Sequence, residues 1–202
     1  MTRSSGSPIL ETLVVFLLVA LAQFVTGLFG AMGSLFYLSA PVTDNPWTIV
    51  TSIYAHGTLA HLLSNSVALV LFGWPVARAT TRLRFHTFFV VAGALAGISQ
   101  VWVMGLLGTV APVVGASGAI FALLGYLIAA NPVSEGVASS VDAPRWLVWL
   151  VFVVLAAGIT IATASPRAAL IAHFTGFLFG LLAGRARLLQ VDKRHPADTP
   201  SV

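Results

Sequence analysis

Long apolar runs separated by a few charged residues dominate this chain of 202 residues. Only 8% of the residues are Asp, Glu, Lys or Arg, whereas soluble domains carry roughly 25%, so the chain cannot cover a water-facing surface. A membrane-spanning helix needs about 20 mostly apolar residues, and charges, Pro and Gly divide the chain into six such runs. The sequence therefore excludes a soluble enzyme and predicts an all-α, polytopic membrane protein, a bundle of six transmembrane helices with a short fourth helix. The expected spans are residues 13–36, 59–77, 85–107, 116–130, 146–163 and 168–184.

The Lys and Arg residues predict how the chain is oriented. With a cytoplasmic N-terminus, nine of the ten lie on the inner side of the spans, and only Arg167 lies outside. Cytoplasmic loops are enriched in Lys and Arg, so we expect a plasma-membrane protein with both termini cytoplasmic. The expected parts are a cytoplasmic tail over 1–10, a membrane domain over 11–185 and a disordered cytoplasmic tail over 186–202. Ala20-Leu21-Ala22 resembles a signal-peptide cleavage site, which leaves cleavage as the alternative, although the apolar run continues beyond it.

Four polar side chains within the spans are expected at one depth. His61 and Asn65 are four residues apart on the second span, Ser117 begins the fourth, and His173 lies in the sixth. Counting from the inner end of each span at about 1.5 Å per residue puts all four about 5–12 Å below the outer surface of a core about 30 Å thick. Polar groups inside a membrane mark functional sites, so the shared depth predicts one site.

The fourth span and the glycines around it predict the geometry of that site. Fifteen residues reach only about 22 Å, so this helix must begin inside the membrane, with Ser117 at its N-terminus beside water. The backbone N–H groups there are free to stabilise an oxyanion. Small residues let helices approach closely, which predicts that the fourth and sixth spans bring His173 within hydrogen-bond reach of Ser117. The glycines concerned are Gly118, Gly125, Gly176, Gly180 and Gly184.

Other functions find little support in the sequence. There is no cysteine, and His56 and His61 have no Asp or Glu positioned to join them within the spans, so we expect neither a metal nor a cofactor. The basic residues do not cluster, which argues against nucleic-acid binding. A lone His or Asn in a membrane helix often serves only as an interhelical hydrogen-bond partner. This structural role stays open for His61, Asn65 and His173 when each is considered alone. Ser99 and Gln100 are expected to form an interhelical hydrogen bond.

Three motifs, taken together, resemble the rhomboid family of intramembrane serine proteases over residues 10–185. They are His56 followed by His61 and Asn65, then Gly115-Ala116-Ser117-Gly118, then His173 with Gly176 and Gly180. The resemblance implies that Ser117 is the nucleophile and His173 its general base. It also implies an oxyanion hole made by Asn65, His61 and the backbone N–H of Ser117. Phe121 falls where many relatives have a Tyr packed on the catalytic imidazole.

The resemblance further implies an endopeptidase that cleaves peptide bonds in or near transmembrane segments, with membrane proteins and the bilayer as its partners. One departure lies in the first external loop, where Thr48 follows Trp47 in place of the Arg that many relatives carry. This departure concerns the internal hydrogen bonding of the loop and touches no proposed catalytic group. Two alternatives remain: a catalytically silent rhomboid-like protein that binds transmembrane segments, and a small transporter, which would predict paired repeats and acidic residues that the spans lack.

Overall fold

The computed structural model describes residues 7–110, 112–130, 144–162 and 169–191. These residues form helices and no strand, apart from one isolated antiparallel bridge between Leu38 and Val113. The all-α membrane fold predicted from the sequence is confirmed. The helices are α1 Pro8–Gly27, α2 Met32–Phe36, α3 Thr48–Tyr54, α4 Leu59–Ala79, α5 Arg82–Leu106, α6 Ser117–Ala129, α7 Arg145–Ala162 and α8 Leu170–Arg185; α4 contains a π-helical turn at Leu69–Gly73.

Within the described residues, three helices are long and apolar enough to cross a membrane. They are α1, α4 and α5, with 20, 21 and 25 residues, and α6, α7 and α8 are shorter apolar helices. A multi-pass membrane protein is therefore confirmed, while six crossings remain a prediction. The expected fourth span at 116–130 matches α6 closely, and the expected ends at 163 and 168 lie outside the described residues.

The first span differs from its prediction at both ends. The apolar run predicted a helix over 13–36, but α1 covers Pro8–Gly27. A proline is favourable in the first helical turn because its missing N–H would have no partner there. Beyond α1 the chain turns through Gly30, whose φ of +70° favours glycine, before α2 begins. Apolar residues after Gly27 thus belong to the connection between α1 and α3.

The centre of the bundle is α6. Its Ala119, Ala122 and Leu123 are fully enclosed, whereas α1 exposes Leu17 and Leu18. A helix that is apolar on all sides and enclosed belongs in a core, and one with an exposed apolar face suits lipid. The short helix that begins with Ser117 is therefore surrounded by protein.

Backbone lies directly against backbone between α6 and α8. A Cβ atom at Gly176 would collide with the carbonyl oxygen of Gly118, and one at Gly180 would collide with that of Ala122. From the other side, a Cβ atom at Gly125 would collide with the carbonyl oxygen of Phe177. The glycines thus allow an approach that no other residue permits.

Each of the two expected tails includes residues that belong to the folded bundle. The first helix starts at Pro8, within the expected N-terminal tail. At the other end Leu189 is only 3% exposed, and the Arg84 guanidinium donates a 2.6 Å hydrogen bond to the Gln190 carbonyl. Leu189 and the Gln190 carbonyl, which the sequence predicted to lie in the disordered tail, therefore contact the bundle, and 192–202 lie outside the described residues.

Candidate active site

The hydroxyl of Ser117 and the imidazole of His173 lie in contact. The distance from Oγ to Nε2 is 3.0 Å, which is hydrogen-bond length. Ser117 is the first residue of α6, and His173 is the fourth of α8 and 8% exposed. If Nε2 accepts the hydroxyl proton, the ring proton resides on Nδ1. That buried Nδ1 has no hydrogen-bond partner among the described residues, so they supply no acidic third member.

Phe121 holds the imidazole from its face. The Phe121 and His173 rings are nearly parallel, with an interplanar angle of 14° and centroids 4.3 Å apart. Phe121 lies one helical turn after Ser117 on the same side of α6. Ser117 therefore contacts the edge of the His173 imidazole, and Phe121 contacts its face. Because a stacked ring and a hydrogen bond restrict different motions, together they restrict the orientation of the imidazole.

His61 and Asn65 converge on the backbone just before Ser117. A Cβ atom at Gly115 would lie 2.5 Å from Cε1 and 2.7 Å from Nε2 of His61, and 3.6 Å from Nδ2 of Asn65. Gly115 also has a φ of +123°, so both space and backbone conformation require glycine. Asn65 is 5% exposed, and its Nδ2 is buried without a hydrogen-bond partner in the described parts of the chain. An unpaired amide donor thus lies beside the serine-bearing turn.

The turn before α6 is held in place by the segment between α1 and α4. Leu38 and Val113 exchange two backbone hydrogen bonds of 3.0 and 2.8 Å, and the N–H of Gly115 donates to the Ser52 carbonyl at 2.8 Å. These bonds fix the approach to Ser117 from a part of the chain more than 60 residues away.

The segment between α1 and α4 has its own hydrogen bonds despite the missing arginine. Thr48 is 1% exposed, and its hydroxyl donates to the Asn45 carbonyl at 2.6 Å. The indole of Trp47 donates to the Ser34 carbonyl at 2.9 Å. A small hydroxyl and an indole thus tie this segment together without a guanidinium at position 48.

Two glutamines belong to the surroundings of the site. The side chain of Gln23 pairs with the backbone of His56, whose N–H donates to Oε1 at 3.0 Å while Nε2 donates to its carbonyl at 3.2 Å. The Gln100 oxygen accepts from the N–H groups of Ile171 and Ala172 at 3.0 and 3.1 Å. The expected interhelical bond of Gln100 is present, whereas Ser99 bonds to its own helix. Gln23 was missed, although an amide inside an apolar run is the kind of signal that could have identified it.

The assembled groups suit acyl transfer. A hydroxyl next to an imidazole is an activated nucleophile, and unpaired N–H donors beside it can hold the charge of an oxyanion. In the ranges that the structure describes, no three His, Asp or Glu residues lie close enough to hold a metal ion.

Comparison with known proteins identifies relatives of this chain. The Rhomboid domain matches residues 43–190. The chain is 28% identical to RHOMBOID-like protein 5 of Arabidopsis thaliana over 145 residues, which are 71% of this chain and 45% of that protein. It is 29% identical to RHOMBOID-like protein 4 of the same plant over 160 residues, 79% of this chain and 38% of that protein. It is 26% identical to Rhomboid protease GlpG of Haemophilus influenzae over 142 residues, 68% of each chain.

The chain spans less than half the length of these plant relatives and about two thirds of the bacterial one. The matched domain nevertheless covers well over half of this chain. This protein belongs to the rhomboid family.

Proposed function

We propose that the protein is an intramembrane serine endopeptidase that cleaves peptide bonds in or near the transmembrane segments of other membrane proteins. The observation that carries the proposal is the 3.0 Å contact between the Ser117 hydroxyl and the His173 imidazole inside a membrane helix bundle. The similarity to a relative named Rhomboid protease GlpG supports the same reaction class.

The first step is attack by Ser117 on the substrate carbonyl carbon. Neutral His173 accepts the hydroxyl proton on Nε2 as Oγ forms the new bond, which leaves a tetrahedral oxyanion and an imidazolium. Collapse breaks the peptide C–N bond, His173 returns its proton to the leaving amine, and an acyl-enzyme remains. Two groups on α6 and α8 then carry out the proton transfers, and the stacked ring of Phe121 keeps the base aimed at Oγ.

The oxyanion is stabilised by donors around the Gly115 turn. Asn65, His61 and the backbone N–H of Ser117 are the candidates, because both side chains flank this turn and the first N–H groups of a helix have no partner within it. Loss of one such donor typically reduces the rate by about 10²–10³-fold. The unpaired, buried Nδ2 of Asn65 fits this role because its partner would arrive with the substrate.

Deacylation needs water, which attacks the acyl carbon while His173 again acts as base. A substrate must also expose a carbonyl, so its helix has to unwind locally at the cleaved bond. These requirements suit a site close to the outer surface, which the expected depth of the four polar groups supports.

The proposal includes the location of the protein. The bias of Lys and Arg supports a plasma-membrane protein with both termini in the cytoplasm and the Ser117 turn near the outer surface. The membrane domain then comprises the predicted residues 11–185 with short extensions at both ends. Its partners are membrane-protein substrates and the bilayer, with no role for nucleic acid, a metal or a cofactor.

The alternative is a rhomboid-like protein that binds transmembrane segments without cleaving them. It would need no contact between nucleophile and base, and the 3.0 Å hydrogen bond of the dyad favours the enzyme.

The test is cleavage of a membrane-anchored reporter by the purified protein in lipid. Ser117→Ala and His173→Ala are expected to abolish cleavage and labelling by a fluorophosphonate. Ser99→Ala is the matched control, because in the described part of the chain the Ser99 hydroxyl bonds to the Leu95 carbonyl of its own helix. This variant is expected to cleave like the wild type. Cleavage that survives Ser117→Ala would refute the nucleophile, and a wild type that neither cleaves nor reacts would favour the silent binder.

A further inference from the structure

Helix α8 starts without a capping side chain of its own. Its N-cap residue, Ala169, has no side chain that could accept a hydrogen bond from the first turn. The first N–H groups of any helix lack partners within the helix, and in a membrane an unsatisfied backbone group is costly. The start of α8 therefore needs an acceptor from elsewhere.

Gln100 of α5 supplies this acceptor. Its Oε1 accepts from Ile171 at 3.0 Å and from Ala172 at 3.1 Å. These are the second and third residues of α8, whose N–H groups an N-cap side chain ordinarily serves. Gln100 thus caps α8 from another helix, whereas a cap is usually a Ser, Thr, Asp or Asn at the N-cap position of the helix itself.

The cap lies next to the proposed dyad. Gln100 is 7% exposed and sits one turn after Ala96 on α5. A Cβ atom at Gly118 would lie 2.5 Å from Cβ of Ala96 and 3.5 Å from the carbonyl oxygen of Ala172. The residue after Ser117 and the residue before His173 therefore meet at the junction that Gln100 caps.

The position of His173 depends on the turn that this cap holds. His173 is the fourth residue of α8, and its own N–H bonds to the Ala169 carbonyl at 3.0 Å, so it lies in the capped turn. Without the acceptor, the part-buried N–H of Ile171 and the buried N–H of Ala172 lose their partner, and the turn must shift or fray to find another. A displacement of about 1 Å at a reacting group can reduce a rate by about 10²-fold.

We propose that Gln100 is a positioning residue that acts as an N-cap from α5 and holds the general base His173 in register with Ser117. The proposal rests on the proposed endopeptidase function for its kinetic consequence. Its structural part, the capping of α8, stands on the hydrogen bonds alone.

The experiment compares two substitutions of similar size. Gln100→Met removes the acceptor, and Gln100→Glu keeps an acceptor oxygen in the same place. For reporter cleavage in lipid we expect kcat of Gln100→Met to fall about 10–100-fold, with KM within about two-fold, since no substrate contact is lost. Gln100→Glu is expected to restore kcat to within about five-fold of the wild type.

Thr81→Ala is the matched control. The Thr81 hydroxyl caps α5 by accepting from the N–H of Arg84 at 3.3 Å, at the other end of the helix that carries Gln100. Its loss removes a helix cap of the same kind and is expected to leave kcat unchanged. A fall in kcat as large as that of Gln100→Met would show that general destabilisation is responsible and would overturn the proposal.

Amide hydrogen exchange separates the two proposals. In Gln100→Met the N–H groups of Ile171 and Ala172 are expected to exchange at least about ten-fold faster, whether or not the protein cleaves the reporter. Unchanged exchange refutes the cap. Faster exchange with an inactive wild type refutes the endopeptidase alone, and an active wild type with unchanged kcat in Gln100→Met refutes the positioning role. Should Gln100→Met not fold, Gln100→Asn, whose amide is one methylene short, serves for both readouts.

Discussion

Gly176→Ala tests whether backbone contact between α6 and α8 sets the distance between Ser117 and His173. The new Cβ atom would collide with the Gly118 carbonyl oxygen and lie 2.9 Å from the carbon of that carbonyl. Ordinary carbon–carbon contacts need about 3.5–4.0 Å, so the two helices must separate by roughly 0.6–1.1 Å at this level.

This separation is enough to break the dyad. Gly176 is three residues after His173, and Gly118 directly follows Ser117, so the displacement acts within one turn of both groups. When this displacement is added to the 3.0 Å between Oγ and Nε2, the resulting Oγ–Nε2 distance exceeds hydrogen-bond length. General-base catalysis contributes about 10²–10⁴-fold, so we expect kcat to fall at least about 10²-fold. Overpacking should also destabilise the fold by about 1–3 kcal/mol.

The assay is cleavage of a membrane-anchored reporter in lipid, with the folded fraction measured by thermal unfolding. Gly158→Ala in α7 is the matched control, because a Cβ atom there meets nothing within 4 Å. It should leave kcat unchanged, and alanine in place of glycine within a helix favours stability by up to about 1 kcal/mol. Wild-type kcat in folded Gly176→Ala would refute the reasoning that backbone contact holds the dyad together.

Three further predictions concern other parts of the structure. Phe121→Leu removes the ring stacked 4.3 Å from the His173 imidazole. An aromatic pair is worth about 0.5–1.5 kcal/mol, so kcat should fall about 2–10-fold, while Phe121→Tyr should retain the wild-type kcat. A wild-type kcat in Phe121→Leu would contradict the proposal that this ring orients His173. Gln23→Leu leaves two buried backbone groups of His56 unpaired, and thermal unfolding should show a loss of about 2 kcal/mol or more, which a wild-type melting temperature would exclude. The sequence contains no cysteine, and in the proposed orientation Thr109, between α5 and α6, faces the outside of the cell. A single cysteine in place of Thr109 should therefore react with a membrane-impermeant thiol reagent in intact cells. Absence of labelling would indicate the opposite orientation.

The spans could be predicted where glycine, proline or polar residues flank them. The predicted 116–130 and the observed Ser117–Ala129 differ by one residue at each end, because glycines, a proline and an asparagine bound this apolar run. The end of α1 could not be predicted in the same way. Hydropathy does not distinguish an apolar helix from an apolar connection, and the turn at Gly30 depends on its backbone conformation, a φ of +70°.

The site was predictable as far as helix periodicity extends. The spacing of His61 and Asn65 and the glycines after His173 indicate which faces meet, and the structure brings these faces together. The roles of Gln23 and Gln100 depend on partners 33 and 71 or more residues away, and no local pattern specifies which backbone groups a side-chain amide will reach. The depth of the site in the bilayer stays a prediction from helix length.

The close approach of α6 and α8 also has a genetic consequence. At positions 176, 180 and 184 the nearest neighbouring atom is a backbone carbonyl oxygen, that of Gly118, Ala122 and Tyr126 respectively. A carbonyl oxygen cannot be removed by mutation because every residue has one. No second substitution on α6 can therefore compensate for a side chain on α8. A scan of all substitutions along α8 should show a strict intolerance that recurs every four residues, with no suppressors on the facing helix.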